Sequence, residues 1–187
     1  MIAPLRFNLL IICALILLGF SLSNTPILRN NSGNIILECN TSYGLIKGTN
    51  HKVKSAYDAL TGKLQFSVLV NDIHFNNATI EEEFSNSFME SKQFPVATFN
   101  GVINSNSQIN LNKDGIYTST ITGNLKIKGI SKQVMTTGSF VVAENRVKGV
   151  ASFYAIPKDF NISIPSYIMT DISKKIKINV NIDFPIP

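Results

Sequence analysis

The sequence predicts an all-β protein: about eight antiparallel strands closed into a barrel, with one short helical segment near residues 79–92 over an open end. Three observations lead there. Apolar residues recur at every second position in one segment after another, which marks strands with one dry and one wet face. Several of these segments run to about ten residues or more between hairpin-type turns, which favours a barrel over a sandwich with a surface groove. One stretch ending at Pro95 breaks the alternation and spaces its apolar residues as a helix does.

The strands follow in order. The first are expected at Ile35–Cys39 and around His51–Tyr57. Leu64, Phe66, Val68 and Val70 then alternate with Lys63, Gln65 and Ser67. After the helical stretch come Val96–Ile103, a long run in which Tyr117, Ser119, Ile121, Gly123, Leu125 and Ile127 share a face, and Gln133–Val142. Val147, Gly149, Ala151, Phe153 and Ala155 oppose Lys148, Ser152 and Tyr154; Ile176, Ile178, Val180, Ile182 and Phe184 oppose Lys175, Lys177, Asn179, Asn181 and Asp183. Turn residues punctuate the series at Leu60–Lys63, Asn112–Gly115, Gly129 and Glu144-Asn145.

In the helical stretch Thr79 is a candidate N-cap, with Glu82 completing a capping box. The acidic triplet Glu81–Glu83 sits at the positive end of the helix dipole, a local role. Ile80, Phe84 and Phe88 recur every four residues and share one face, joined by Met89. In a barrel with a single helix, that face packs over an open end as a lid. Small residues on the dry faces (Ser119, Gly123, Gly149, Ala151 and Ala155) leave interior space if they point inward. Gly123 and Gly149 have the alternative reading of bends in the sheet.

Arg6, the apolar run Leu9–Phe20 and the small residues of Ser21-Leu22-Ser23 read as a secretory signal peptide cleaved after Ser23, leaving one domain over residues 24–187. The run falls short of the roughly 20 apolar residues of a spanning helix, so a retained anchor is the lesser alternative. Cys13 lies within the run and no cysteine follows at the cleavage point, which speaks against a lipoprotein signal. The net charge of +5 falls by one unit without Arg6, and the lysines are scattered along wet strand faces, which argues against nucleic-acid binding. Cys39 is then the one thiol left, unable to form an internal disulfide, and reads as a small half-buried strand residue.

Chemical motifs are missing. His51 and His74 are far apart, no metal-ligand spacing occurs, and no nucleophile elbow or phosphate loop is present. Asp72, Asp159, Asp171 and the glutamates are dispersed. The expectation is a protein with no catalytic residues, metal or cofactor.

Three blocks carry a family resemblance. Phe84-Ser-Asn-Ser-Phe-Met-Glu-Ser-Lys-Gln-Phe-Pro95 running to Phe99-Asn-Gly101 resembles a helix-to-strand signature. Gly123-Asn-Leu-Lys-Ile-Lys-Gly129 through Val134 resembles a Gly-x-Leu-x-Ile/Val-His-Gly block. Asp159-Phe-Asn-Ile-Ser-Ile-Pro165, followed by Ile172–Ile178, resembles a C-terminal block. In this order they resemble the bacterial YceI-like family of lipid- or polyisoprenoid-binding proteins, with weaker similarity back to about Asn34. The chain departs from that pattern at Lys128 and at Glu83-Phe84, where relatives often carry His and His-Phe, so no role of those histidines transfers. The resemblance implies a lipocalin-like barrel with an elongated apolar cavity. It also implies export to the periplasm or medium, and an isoprenoid or similar amphipathic lipid as ligand, met at a membrane surface only transiently if the protein is a carrier.

The expected cavity lining is Phe66, Val68, Val70, Ile121, Leu125, Phe140, Ala151, Phe153, Ile178 and Val180, with Phe84, Phe88 and Met89 as lid. A buried CH₂ contributes about 0.8 kcal/mol, so one isoprene unit gives roughly 3–4 kcal/mol. Association costs about 4–15 kcal/mol, so several units are needed and the tail dominates binding. Two other readings stay open: a ligand-free barrel serving as a stress-response or interaction module, and an enzyme on a small apolar substrate. Convergence of His74, Asp72, Glu83 and Asp159 in a cavity would support the second.

Overall fold

Each alternating segment is a strand in the computed structural model, which describes residues 27–41, 44–165 and 175–187. The expected leader with Arg6, Cys13 and Ser23, and also Asp171, lie outside the described residues. The elements are β1 (Ile27–Thr41), β2 (Gly44–Asp58), β3 (Lys63–Leu69), β4 (His74–Phe75), α1 (Ala78–Glu83), β5 (Val96–Ile103), β6 (Gly115–Ile127), β7 (Ile130–Ala143), β8 (Arg146–Ala155) and β9 (Ile176–Pro185). Neighbours run β1-β9-β8-β7-β6-β5-β3-β2, all antiparallel, and β2 pairs back onto β1, so eight strands close a barrel without a free edge. The two-residue β4 pairs with Gly48 and Thr49 of β2.

Turn chemistry sets the register. Lys128-Gly129 between β6 and β7, and Glu144-Asn145 between β7 and β8, have both residues at positive φ (47° and 77°; 52° and 56°), the pattern of type I′ hairpin turns. Between β2 and β3 the Asp58 carboxylate accepts from the Thr61 hydroxyl at 2.6 Å and from the Thr61 and Leu60 amides. The Thr61 hydroxyl bond, more than the amides, holds the Asp58 carboxyl below its usual range.

The barrel is solid at one end and hollow at the other. Where β1, β3, β6 and β8 begin, Leu28, Val53, Tyr57, Ile103, Val147 and Ile182 are almost fully buried, and the Tyr57 and Phe184 rings lie 6.0 Å apart. The Tyr57 hydroxyl donates to Asn106 Oδ1 at 2.6 Å, and Asn106 Nδ2 donates to the Ala59 carbonyl at 2.7 Å, so this buried phenol is satisfied. Burial, aided by the neighbouring Asp58 charge, pushes the Tyr57 pKa up to about 12. The folded state therefore favours the neutral phenol. Its contribution is complete below the unfolded-state pKa of about 10 and is lost as pH rises from there through about 12, a loss of roughly 2–3 kcal/mol. Denaturant unfolding between pH 9 and 12 should show that loss in the wild type and lack it in Tyr57→Phe. An identical pH slope in both proteins would contradict the assignment.

Two of the small residues expected to open space do not. Gly101 and Gly123 are paired across β5 and β6, and the Phe99 ring lies over both. A Cβ on Gly123 would come within 2.5 Å of the Gly101 Cα and of Phe99 Cζ. An aromatic ring thus fills the place of the missing side chains. Ser119 belongs to the packed end, buried, with its hydroxyl accepting from the Ser105 amide.

Candidate functional site

The hollow end is a cavity of about 180 Å³. A single water needs roughly 10–15 Å³ on this measure. Phe66 and Val68 on β3, Ile121 and Leu125 on β6, Phe140 on β7, Ala151 and Phe153 on β8, and Ile178 and Val180 on β9 wall it, with Gly149 and Ala155 as the small positions. Phe84, Phe88 and Met89 close it from above. Among the described lining residues only Thr98 and Thr136 carry a polar group, and the Thr136 hydroxyl is engaged by the Ser152 carbonyl at 2.8 Å.

Val70 is the exception among the expected lining residues. The chain leaves β3 at Leu69 and makes a single 3₁₀ turn at Val70–Asp72, so strand alternation no longer applies there. Val70 is instead packed in the core, its amide bonded to the Pro95 carbonyl. A second cover was not anticipated from the pattern. After β8, Pro157, Phe160, Ile162 and Ile164 run across the mouth and line the cavity. Its signal was present, since Phe160, Ile162 and Ile164 keep a period of two beyond the last residue of β8.

The lid is built differently from the expected capping box. Asn77, not Thr79, caps α1, its Oδ1 accepting from the Thr79 and Ile80 amides at 2.9 and 3.2 Å. Glu81, not Glu82, reaches back, accepting from the Phe75 amide at 2.8 Å with His74 Nδ1 3.1 Å away. The Phe75 amide bond foremost, then His74, holds the Glu81 carboxyl below its usual range. Past α1 the helix widens into a π turn over Phe84–Phe88, closed by the Met89 amide on the Phe84 carbonyl. Such turns recur at functional sites. The Phe75 and Phe84 rings pack with centroids 5.0 Å apart and planes tilted by 53°, and the Ser85 hydroxyl donates to Asn71 Oδ1 at 2.7 Å.

The two covers meet at Lys128. Its side chain is only 8% exposed, and its Nζ donates to Glu90 Oε1 at 2.6 Å and to the Asn161 carbonyl at 3.5 Å. Glu90, Lys128 and Asn161 all adopt left-handed backbone conformations, with φ of 48°, 47° and 53°. Each such non-glycine residue costs on the order of 1 kcal/mol and persists only where its surroundings enforce it. One ammonium thus clasps the end of the lid to the segment after β8. Glu90→Gln, which leaves that ammonium buried without its carboxylate, is expected to cost about 1–2 kcal/mol in urea unfolding, discounted because Glu90 is half exposed. Faster hydrogen exchange over residues 84–94 should accompany it, and unchanged exchange would show that the clasp does not hold the lid.

The groups that could have made a catalytic centre do not converge. Asp72 pairs with Lys52 at 3.0 Å, His74 with Glu81, Asp159 is exposed, and His51 is exposed on β2. Among the described residues no three His, Cys, Asp or Glu side chains gather as a metal site.

Glu83 lines a second, outer cavity of about 510 Å³, together with Cys39, Thr41, Lys47, Asn76 and Asn77. Leu37, Phe84, Phe88, Ile164 and Ile176 wall both cavities, so these five form the partition between them. Burial pushes the Cys39 thiol pKa up, which keeps it protonated.

A closed antiparallel barrel, solid at one end and hollowed into a roofed apolar chamber at the other, defines a lipocalin-like barrel. The profile of the YceI-like domain matches residues 34–184, and the chain belongs to that family. No curated protein matches the sequence. Among solved structures, a polyisoprenoid binding domain from Saccharophagus degradans superposes with a TM-score of 0.70 at 10% identity, covering 86% of this chain and 98% of that one. BcnA of Burkholderia cenocepacia gives 0.63 at 15% identity, covering 81% and 94%. The Campylobacter jejuni YCEI protein gives 0.53 at 14% identity, covering 88% and 86%. At these identities the likeness is one of fold.

Proposed function

We propose that this protein is exported to the periplasm or medium as a single domain and holds an isoprenoid or similar long apolar amphiphile in the barrel, as a binding protein and not an enzyme. The observation that carries the reading is the inner cavity, roofed and without a charged residue among the described lining. With two threonine hydroxyls in its described lining, one already bonded to a carbonyl, the chamber offers a buried water fewer partners than the two to four it needs. A hydrocarbon tail gains about 0.8 kcal/mol per buried CH₂ there. The polyisoprenoid binding reported for the Saccharophagus domain and membership of the YceI-like family support the same class of ligand. Phe66, Val68, Ile121, Leu125, Phe140, Ala151, Phe153, Ile178 and Val180 grip the tail, and Phe84, Phe88 and Met89 close over it. The apolar leader at residues 9–20 supports export.

Native mass spectrometry of the protein purified without detergent tests the reading. A bound lipid mass, released by organic extraction, is the expected result. Clean apo-protein that also takes up no added polyprenol would favour a ligand-free interaction module.

A further inference from the structure

We propose that a ligand enters and leaves the inner cavity through the seam between its two covers, and that the Glu90–Lys128–Asn161 clasp is the latch on that seam, setting the rate of exchange and not the affinity. This rests on the reading of the inner cavity as the ligand site.

The seam can be followed through the cavity lining. Phe84, Phe88 and Met89 stand on the lid side, and Phe160, Ile162 and Ile164 on the side of the segment after β8. All six are apolar, so a hydrocarbon tail passing between them leaves no polar group unpaired. Phe84, Phe88 and Ile164 also wall the outer cavity, so parting the covers opens the inner chamber toward it. The strands of a closed barrel bound the rest, and a tail could pass between two of them only by breaking the hydrogen bonds that join them.

The latch lies directly behind the seam. Met89 precedes Glu90, Ile127 precedes Lys128, and Phe160 and Ile162 flank Asn161; all four line the cavity. Glu90, Lys128 and Asn161 line neither cavity, so undoing the latch removes no ligand contact. The two covers are tied unequally. With the latch open, the lid keeps the Ser85–Asn71 and Ser85–Ser91 hydroxyl bonds. Among the described residues, Pro157–Ile164 has no other side-chain hydrogen bond to the barrel than the one from Lys128 to the Asn161 carbonyl. The segment after β8 is therefore the cover that swings, and the lid is its frame.

Stopped-flow fluorescence on delipidated full-length protein tests this, with anthraniloyl geranylgeraniol as probe and excess unlabelled geranylgeraniol to follow release. Lys128→Met, which keeps an unbranched side chain and loses the ammonium, should speed entry and release alike by about tenfold, with Kd within about threefold of wild type. Glu90→Gln should speed both by about fivefold, and carries the test if Lys128→Met does not fold. Arg146→Met, which breaks the Arg146–Asp183 pair at the packed end, should exchange as the wild type does. Faster release with unchanged entry, or rates that neither variant changes, overturns the latch while the cavity reading stands. A wild type that takes up no probe overturns the cavity reading, and the latch with it.

Discussion

Ala151→Phe is expected to abolish lipid uptake while leaving the fold almost as stable as before. Ala151 sits on β8 between Gly138 of β7 and Val180 of β9 in register, and it faces the inner cavity. A benzyl group there projects into empty space where most core positions would force it into neighbours. The usual overpacking penalty of about 1–3 kcal/mol should therefore shrink to about 1 kcal/mol or less. The space it takes is the space a tail needs. Uptake of a polyprenyl probe should fall at least a hundredfold, with the melting temperature within a few degrees of wild type. Thr137→Phe, on the exposed face of β7, controls for added bulk outside the barrel and should bind as the wild type does. Unchanged affinity in Ala151→Phe would place the ligand elsewhere and end the case for the chamber.

Gly123→Ala should be the most destabilising single-methyl change in the barrel, at about 3 kcal/mol or more in denaturant unfolding. The new Cβ meets two obstacles at 2.5 Å, the Gly101 Cα of the neighbouring strand and the Phe99 ring. The ring can move and the backbone cannot without parting β5 from β6. Phe99→Leu in the Gly123→Ala background should thus recover only part of the loss, with a coupling energy of roughly 1 kcal/mol. Full recovery would mean that the ring alone requires the glycine. A cost below about 1 kcal/mol would mean that the strands have slack there.

Much of this architecture was legible in the residues because strand alternation is a local property. Ile176, Ile178, Val180, Ile182 and Phe184 declare one dry face without reference to anything distant, and so do the runs in β3, β6 and β8. The lid could be read for the same reason, from the spacing of Phe84 and Phe88. Where reading failed, either a partner distant in sequence or a local choice that alternation does not encode decided the outcome. The space at Gly123 depends on Phe99, and the cap on α1 on which of two polar residues reaches the free amides first. Val70 depends on the place where β3 gives way to a turn. The clasp at Lys128 joins residues 38 and 33 positions away, and nothing in their local pattern signals it.

What the linear order of residues determined by itself is that the strands are amphipathic, that turns join several of them and that one helical segment lies between the strand at Leu64–Val70 and the one at Val96–Ile103. Side-chain period and turn propensity are settled within a few neighbours. What only the tertiary structure decided is where the interior is full and where it is hollow. Val147 and Ala151 occupy equivalent positions on one strand, as do Ile182 and Ile178 on another, yet one level of the barrel is packed and the other encloses a chamber. Free volume at a given height is what remains after eight strands and two covering segments have each contributed their side chains there. That remainder exists only once the barrel has closed.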